Sequence, residues 1–396
     1  MPLPSVRRLV VAATALAVAG GLSACGSDSD TNSGSAGPAS SAASDPHALS
    51  VTVSAASGCT PDKTTLAAGA ITIKVTNKDA TGVSEIELLG GERIIGEKEN
   101  LPPGFSGDFT VEVEAGTYTL YCPGAQPEKT TLTVTGAAST SAADTSTSAL
   151  LDKGTKQWGE YVETQVGYLV EGAQTLATAL KGTDLAAAQT AYKKSRVYYE
   201  RIEPVAESFA SGKQDLDADI DAREGDVPAA EWRGFHRIEK GLFADKKLAG
   251  LSKFGDELVT NTTKLKTLTT GLSYKPFELA NGAQELLDEV SASKITGEEE
   301  RYSHIDLLDV QGNVEGAEQA FADLQPGLAK IDPALASSVS TQFAALNALV
   351  DKYRSKTEPS GFKLYSELTN TDRKALAAAV KAVQEPLSRV ASKVTH

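Results

Sequence analysis

The segment Trp232-Arg233-Gly234-Phe235-His236-Arg237-Ile238-Glu239-Lys240-Gly241-Leu242-Phe243 carries the pattern that decides the fold of the second half of the chain. On a helix, at about 100° per residue, its apolar side chains fall in one sector together with His236 and Glu239. The basic side chains of the segment lie on the opposite, solvent side. Since an unpaired buried charge is costly, a buried carboxylate and imidazole one turn apart need partners. They either pair with each other or a neighbouring helix, or they bind a metal ion.

Two further residues are candidates for the same metal site. His304 lies in the polar and aromatic run Tyr302-Ser303-His304-Ile305-Asp306, and the chain has only four histidines. Glu203 lies at the edge of an apolar helical sector that runs from Tyr192 to Phe209, beside Pro204. The candidate ligand set of the helical region is therefore His236, Glu239, Glu203 and His304.

Around this segment, residues 150–396 show long Ala, Leu, Glu and Lys stretches with apolar residues three or four apart, which predicts a bundle of six or more helices. Residues 47–136 instead show short alternating runs separated by Gly, Pro and Asn, which predicts a small all-β sandwich. A stretch of small and polar residues, 137–149, is the predicted linker. A length of 396 residues fits such a two-domain chain.

The β region has candidate ligands of its own. Cys59 and Cys122 form either a disulfide, as expected in an oxidising compartment, or a pair of soft ligands to copper or zinc. Glu85 and Glu87 share a strand face, and Glu97 and Glu99 share another if that stretch is extended. Clustered carboxylates suit hard cations such as Fe(III), although a solvated strand face has the same pattern.

The sequence of the N-terminal residues predicts that the chain is exported. Residues 1–24 combine a basic start, an apolar run too short for a bilayer core of about 30 Å, and small residues before Cys25. Leu22-Ser23-Ala24-Cys25 resembles a lipobox, so Cys25 is expected to carry a lipid anchor on the outer face of the cell membrane. Residues 25–46 read as a flexible tether. The net charge of −14 argues against nucleic acid binding and favours cationic ligands.

Two groups of motifs resemble known domains. Gly234–Lys240 and the run from Tyr302 to Gly316 are similar to the imelysin, or peptidase-like, domain with its His-x-x-Glu motif. Cys59-Thr60-Pro61, the run from Glu97 to Ser106 and the run from Gly116 to Cys122 resemble a cupredoxin-like Greek-key domain. In this order on an exported chain, the two domains resemble EfeO-type iron uptake proteins.

The resemblance implies a function and a set of partners. The implied cargo is ferric or ferrous iron, with copper or zinc as further metals, and the implied partners are a membrane iron permease and an exported haem peroxidase-like protein. His236 and Glu239 would be ligands in the helical domain. Cys59, Glu85 and Cys122 would belong to a metal site in the β domain, with Glu87, Glu97 and Glu99 as further carboxylates.

Two other functions are alternatives to iron uptake. A zinc peptidase needs a base beside its ligands, and His-x-x-Glu without a second histidine on that helix supplies none, so the chain is expected not to be a peptidase. The resemblance implies at most assistance in ferrous oxidation. A haem-binding surface lipoprotein is the other alternative, because tyrosines lie beside His304. The β region contains only His47 as a histidine and no methionine, so a blue-copper ligand set cannot form there.

Overall fold

A computed structural model describes residues 45–83, 85–137, 145–209 and 215–395. The predicted signal peptide, Cys25, the tether up to residue 44 and part of the predicted linker lie outside the described residues. The β domain and the helical domain belong to one compact unit, Ser44–His396.

The β domain is a two-sheet sandwich, as predicted. Its strands are Ala48–Ser54 (β1), Gly58–Pro61 (β2), Thr65–Ala67 (β3), Gly69–Asn77 (β4), Ile86–Gly90 (β5), Arg93–Lys98 (β6), Ser106–Val113 (β7), Gly116–Tyr121 (β8) and Lys129–Thr135 (β9). Within the described residues one sheet has the order β2-β1-β4-β7 and the other β3-β9-β8-β5-β6. The pairs β1·β4 and β3·β9 are parallel. Apolar residues alternate along the strands and fill the space between the sheets, as Leu49, Val51 and Val53 do in β1.

The rest of the described chain is helical. Its α-helices are Thr145–Leu180 (α1), Leu185–Glu200 (α2), Glu203–Glu207 (α3), Leu216–Asp221 (α4), Gly234–Glu239 (α5), Ser252–Thr269 (α6), Pro276–Ala292 (α7), Asp306–Ile331 (α8), Pro333–Val350 (α9), Asn370–Leu387 (α10) and Ala391–Val394 (α11). A π-helical turn, Lys240–Ala244, continues α5. Helix α1 begins five residues before the predicted boundary at residue 150, and Thr147 is already buried.

Proline explains why Glu203 does not lie on a continuous helix. Pro204 lacks an N–H, and its ring would clash with the carbonyl of residue 200 in an unbroken helix. Helix α2 accordingly ends at Glu200, and Pro204 stands in the first turn of the short helix α3. Glu203 is therefore the first residue of α3, and it is buried there.

The two domains meet along strand β6 and helix α7. Arg93 pairs with Glu278 at 2.8 Å, and Lys98 pairs with Asp288 at 2.5 Å. Phe277 of α7 packs into the apolar core of the β domain. Basic side chains of β6 therefore pair with acidic side chains of α7 across this interface.

In the described part of the chain, none of the helices combines the length and the apolar character that a membrane span needs.

Candidate metal centres

A glycine brings helices α4 and α5 together. Gly234 has a φ of 79°, and a Cβ there would lie 2.1 Å from the carbonyl oxygen of Ile220. A larger residue would be strained and would collide with this backbone. The contact places Asp221, the last residue of α4, beside the first turn of α5.

His236 lies at the centre of the resulting site and is 2% exposed. Its Nε2 atom lies 3.3 Å from Glu299 Oε1 and 3.6 Å from Asp221 Oδ2, and forms no hydrogen bond with the described residues. Ligand atoms of Asp221, His236 and Glu299 all lie within 4.8 Å of one another. One imidazole nitrogen and two carboxylates at this spacing form a donor set that a transition metal can use.

Glu239 is buried on the same face, as predicted, but it holds the surroundings of His236 together. Its Oε2 lies 3.4 Å from His236 Nδ1. Its Oε1 accepts hydrogen bonds from the backbone N–H groups of Tyr302, at 2.8 Å, and Ser303, at 2.7 Å. The carboxylate therefore fixes the ring of His236 and the turn that follows Glu299 and Glu300.

Arg196 of helix α2 provides a permanent positive charge next to His236. Its guanidinium is fully buried and pairs with Glu200 at 2.6 Å, Glu299 at 3.0 Å and Glu300 at 3.1 Å. It also contacts Asp221 and, at 3.6 Å, Asp309. Both carboxylate oxygens of Asp309 lack a hydrogen bond to the described residues. The centre thus contains more carboxylates than Arg196 can neutralise.

Burial and neighbouring charges act in opposite directions on the pKa values of this centre. Burial alone would lower the pKa of His236, but the carboxylate of Asp221 raises it well above its ordinary value. Burial alone would raise the pKa of Asp221, but Arg196 and His236 lower it. Burial, with the charges of Glu200 and Glu300, raises the pKa of Asp309 well above its ordinary value in spite of Arg196. A cation that enters the centre would therefore displace protons.

Glu203 lies in a second, neighbouring group of carboxylates. Its Oε2 accepts hydrogen bonds from the buried Lys294, at 2.7 Å, and from Asn313, at 3.1 Å. Ligand atoms of Glu203, Glu207 and Asp217 lie within 4.8 Å of one another. Lys294 also pairs with Glu200 at 3.0 Å and so lies between this group and the Arg196 centre.

The predicted helical ligand set is therefore split. His236 and Glu239 are adjacent, Glu203 belongs to the second group, and His304 belongs to neither group among the described residues. The backbone N–H of His304 donates to the Glu300 carbonyl, and its carbonyl accepts from the Tyr365 N–H. His304 has a φ of 58°, so it shapes the turn before α8.

In the β domain the cysteines are joined, which corrects their assignment as metal ligands. Cys59 and Cys122 form a disulfide, so their sulfurs are no longer the thiolates that bind soft metals. Glu87 and Glu97 are direct partners across β5 and β6. Glu85 precedes β5 and Glu99 follows β6, so the four carboxylates lie near one end of this strand pair.

Several residues of both groups were missed in the sequence. The centre of His236 has four such residues, namely Arg196, Asp221, Glu299 and Asp309. The group of Glu203 has three, namely Glu207, Asp217 and Lys294. The acidic runs Asp215–Asp221 and Glu298–Glu300 could have indicated some of these residues in the sequence. Acidic runs, however, usually lie on solvent-exposed faces. Only the packing of α2, α4, α5 and α8 shows which of these carboxylates are buried.

Comparisons with known proteins agree with this architecture. Residues 154–390 match the family model described as Imelysin, and residues 18–134 match the model described as Cupredoxin-like domain. A protein from Escherichia coli O1:K1 named iron uptake system component EfeO is 37% identical over 336 residues, which span 84% of this chain and 88% of that protein. The chain belongs to the EfeO family.

Other EfeO relatives agree with this assignment. The iron uptake system components EfeO of Escherichia coli K12 and of Shigella flexneri are each 36% identical over 84% of this chain and 88% of their own length. Membership of the EfeO family supports a role in iron uptake and confirms the predicted order of a cupredoxin-like and an imelysin domain.

Proposed function

We propose that the protein binds iron outside the cytoplasm and passes it to a membrane iron permease. The observation that carries this proposal is the convergence of Asp221, His236 and Glu299, whose ligand atoms lie within 4.8 Å of one another. The names of the EfeO relatives give the biological context, since each is an iron uptake system component.

The chemistry of this donor set suits iron. Two carboxylates provide hard oxygen donors, and an imidazole adds a nitrogen donor that iron also accepts. His236 binds metal only after it releases the proton that Asp221 stabilises. Glu239 lies against Nδ1 of the same ring and keeps Nε2 turned toward Asp221 and Glu299.

Metal counting tests the proposal. The mature chain is loaded with ferric citrate, desalted, and its iron content is measured by mass spectrometry. We expect His236→Ala to bind one iron ion fewer per chain than the unaltered protein. His304→Asn is the matched control, because it removes a histidine outside both carboxylate groups and asparagine tolerates a positive φ.

Equal iron content in His236→Ala and the unaltered protein would overturn the assignment of this centre. If only His304→Asn lost iron, the iron site would have to be assigned to the turn before α8 instead.

Peptidase activity is disfavoured by the burial of the centre. Asp221, His236 and Glu299 are at most 6% exposed, and the Arg196 guanidinium lies beside them. A peptide substrate would have to displace this ion-pair network to reach a metal there. A fluorogenic peptide assay on the iron-loaded and zinc-loaded protein is expected to show no hydrolysis.

The cell-surface part of the proposal rests on residues 1–25. We propose that Cys25 is acylated and that the protein works beside an iron permease and an exported haem peroxidase-like protein. Mass spectrometry of the mature N-terminus tests the anchor, and Cys25→Ala is expected to release the protein from the membrane fraction. Co-purification with the permease, compared between iron-loaded and iron-free protein, tests the transfer step.

A further inference from the structure

Glu299 is bound by a different arginine on each of its two carboxylate oxygens. Its Oε1 atom accepts a hydrogen bond from the buried Arg196 at 3.0 Å and lies 3.3 Å from His236 Nε2. Its Oε2 atom accepts a hydrogen bond from Arg223 Nη1 at 2.8 Å. One oxygen of Glu299 therefore faces the candidate metal centre, and the other faces the guanidinium of Arg223.

The two arginines differ in how easily they can leave Glu299. Arg196 is fully buried, and its departure would leave several buried carboxylates without a partner. The side chain of Arg223 is 32% exposed, and its other ion pair, with the exposed Asp226, measures 3.2 Å. Because exposed ion pairs are weak, Arg223 is the cation that can move away from Glu299.

Arg223 also lines a polar pocket at the surface. The pocket has a volume of about 220 Å³, and three of its lining residues are acidic, namely Asp226, Glu289 and Glu298. These carboxylates attract a hydrated cation from solvent, and they offer new partners to a guanidinium that turns away from Glu299. Arg223 therefore connects the pocket with Glu299, whose side chain is only 3% exposed.

The turn that carries Arg223 has contacts that do not depend on this guanidinium. Trp232 Nε1 donates a hydrogen bond to the carbonyl of Ala222 at 2.7 Å. The carboxylate of Glu224 contacts both Lys240 and the hydroxyl of Tyr302. The backbone of the turn is thus held in place when the side chain of Arg223 changes its position.

We propose that Arg223 occupies Glu299 in the metal-free protein and that an entering iron ion takes its place, with the acidic pocket beside Arg223 as the entry route. A buried carboxylate needs a positive partner, and this exchange provides one before and after iron binds. Arg223 is not a ligand in this scheme. It is a positioning residue that controls when Glu299 is free, and the proposal rests on the iron site proposed above.

Trp232 can report iron binding at this centre. The chain has two tryptophans, and Trp232 is buried against Ala222, the residue after Asp221. Bound iron is expected to quench its fluorescence. Trp158→Phe leaves Trp232 as the single reporter and keeps an aromatic ring beside Tyr161. In the mature chain with this substitution, stopped-flow fluorescence measures Fe²⁺ binding without oxygen, and equilibrium titration measures the dissociation constant.

We expect Arg223→Ala to bind Fe²⁺ at least about tenfold faster than the protein with Arg223, and with a dissociation constant at least about tenfold lower. That factor corresponds to the loss of one hydrogen bond to a charged group, which no longer competes with iron for Glu299. Arg223→Gln should change both quantities in the same direction, because it removes the charge and keeps much of the side-chain length. A purely structural role of Arg223 would instead weaken binding.

Arg301→Ala is the matched control. Arg301 lines the same pocket and donates a hydrogen bond to the carbonyl of Glu224 at 3.3 Å, but it forms no ion pair with Glu299 among the described residues. The substitution therefore removes the same charge from the pocket and leaves the contact between Arg223 and Glu299 intact. We expect an unchanged rate. Equal acceleration in Arg301→Ala and Arg223→Ala would overturn the proposal, because pocket charge alone would explain it.

His236→Ala in the same background separates the two proposals. If His236→Ala abolishes the quenching and Arg223→Ala accelerates it, both the iron site and the role of Arg223 are supported. If the quenching depends on His236 but Arg223→Ala binds at an unchanged or lower rate, only the role of Arg223 is overturned. Quenching that is absent, or that does not depend on His236, contradicts the iron site and the role of Arg223 together.

Folding does not confuse this result. In Arg223→Ala the carboxylate of Glu299 keeps its hydrogen bond from Arg196, and the turn keeps the contacts of Glu224. Circular dichroism checks that the helical content is unchanged. Faster and tighter binding of iron is also not the result that a partly unfolded variant would give.

Discussion

Glu87 on β5 lies directly opposite Glu97 on β6, and both carboxylates are almost completely buried. Opposed like charges destabilise a strand pair, and burial adds to this cost. Burial, followed by the charge of Glu85, raises the pKa of Glu87 to about 8. The β domain therefore keeps an unfavourable carboxylate pair at the surface that it presents to the helices.

Replacing one member of this pair is expected to stabilise the metal-free protein. In EDTA at pH 8, Glu97→Gln should raise the free energy of unfolding by about 1 kcal/mol, because it removes the repulsion between opposed carboxylates. Urea unfolding measures this change. Glu92→Gln, in the exposed turn between β5 and β6, is the control and should have little effect. A loss of stability in Glu97→Gln would show that the carboxylate has a stabilising partner.

The stability of the metal-free protein is expected to fall as the pH rises from about 5 to about 8. The pKa values of Glu87, Asp217 and Glu285 are raised to about 8 and that of Asp306 to about 7, first of all by burial. Between the ordinary and the raised pKa, the folded chain keeps protons that the unfolded chain has lost. The stabilisation is complete below the ordinary pKa and is lost as the pH rises through the raised one.

Each unit of pKa difference corresponds to about 1.4 kcal/mol, so a loss of at least about 2 kcal/mol is expected between pH 5.5 and pH 8. Urea unfolding in EDTA at several pH values measures it. Constant or increasing stability up to pH 8 in EDTA would contradict the prediction.

Removal of Arg196 is expected to destabilise the helical domain strongly. Arg196→Met leaves the surrounding carboxylates without their central cation, and loss of one partner of a buried ion pair costs about 3–5 kcal/mol. Chemical unfolding at pH 7 measures the effect. Adding Asp309→Asn should restore part of the stability, since Asp309 contacts Arg196 at 3.6 Å. Additive effects in this double-mutant cycle would show that the two residues are not coupled.

Removal of the disulfide is expected to affect stability but not the number of bound metal ions. The bond joins residues 63 positions apart, so Cys59→Ala/Cys122→Ala should lower the free energy of unfolding by about 3–4 kcal/mol. The iron content of the folded variant should equal that of the unaltered protein. A lost metal ion would instead support the thiolate site that the sequence left open.

The sequence by itself determined the order and class of the two domains. Alternation of period two and apolar spacing of three to four residues depend on local geometry, so the sandwich and the helical region are visible in a single chain. The same helical geometry placed His236 and Glu239 on a buried face, because three residues span about one turn.

Only the tertiary structure decided which other charged residues join them. Asp221 and Glu299 reach His236 because Gly234 lets α5 approach Ile220 and because Glu239 holds the turn at Tyr302 and Ser303. Glu203, at the start of α3, groups with Glu207 and Asp217 rather than with His236. Arg93 and Glu278 are far apart in sequence and form an ion pair where the β domain packs on the helices. Such contacts depend on how whole elements pack, which the period of an isolated segment does not encode.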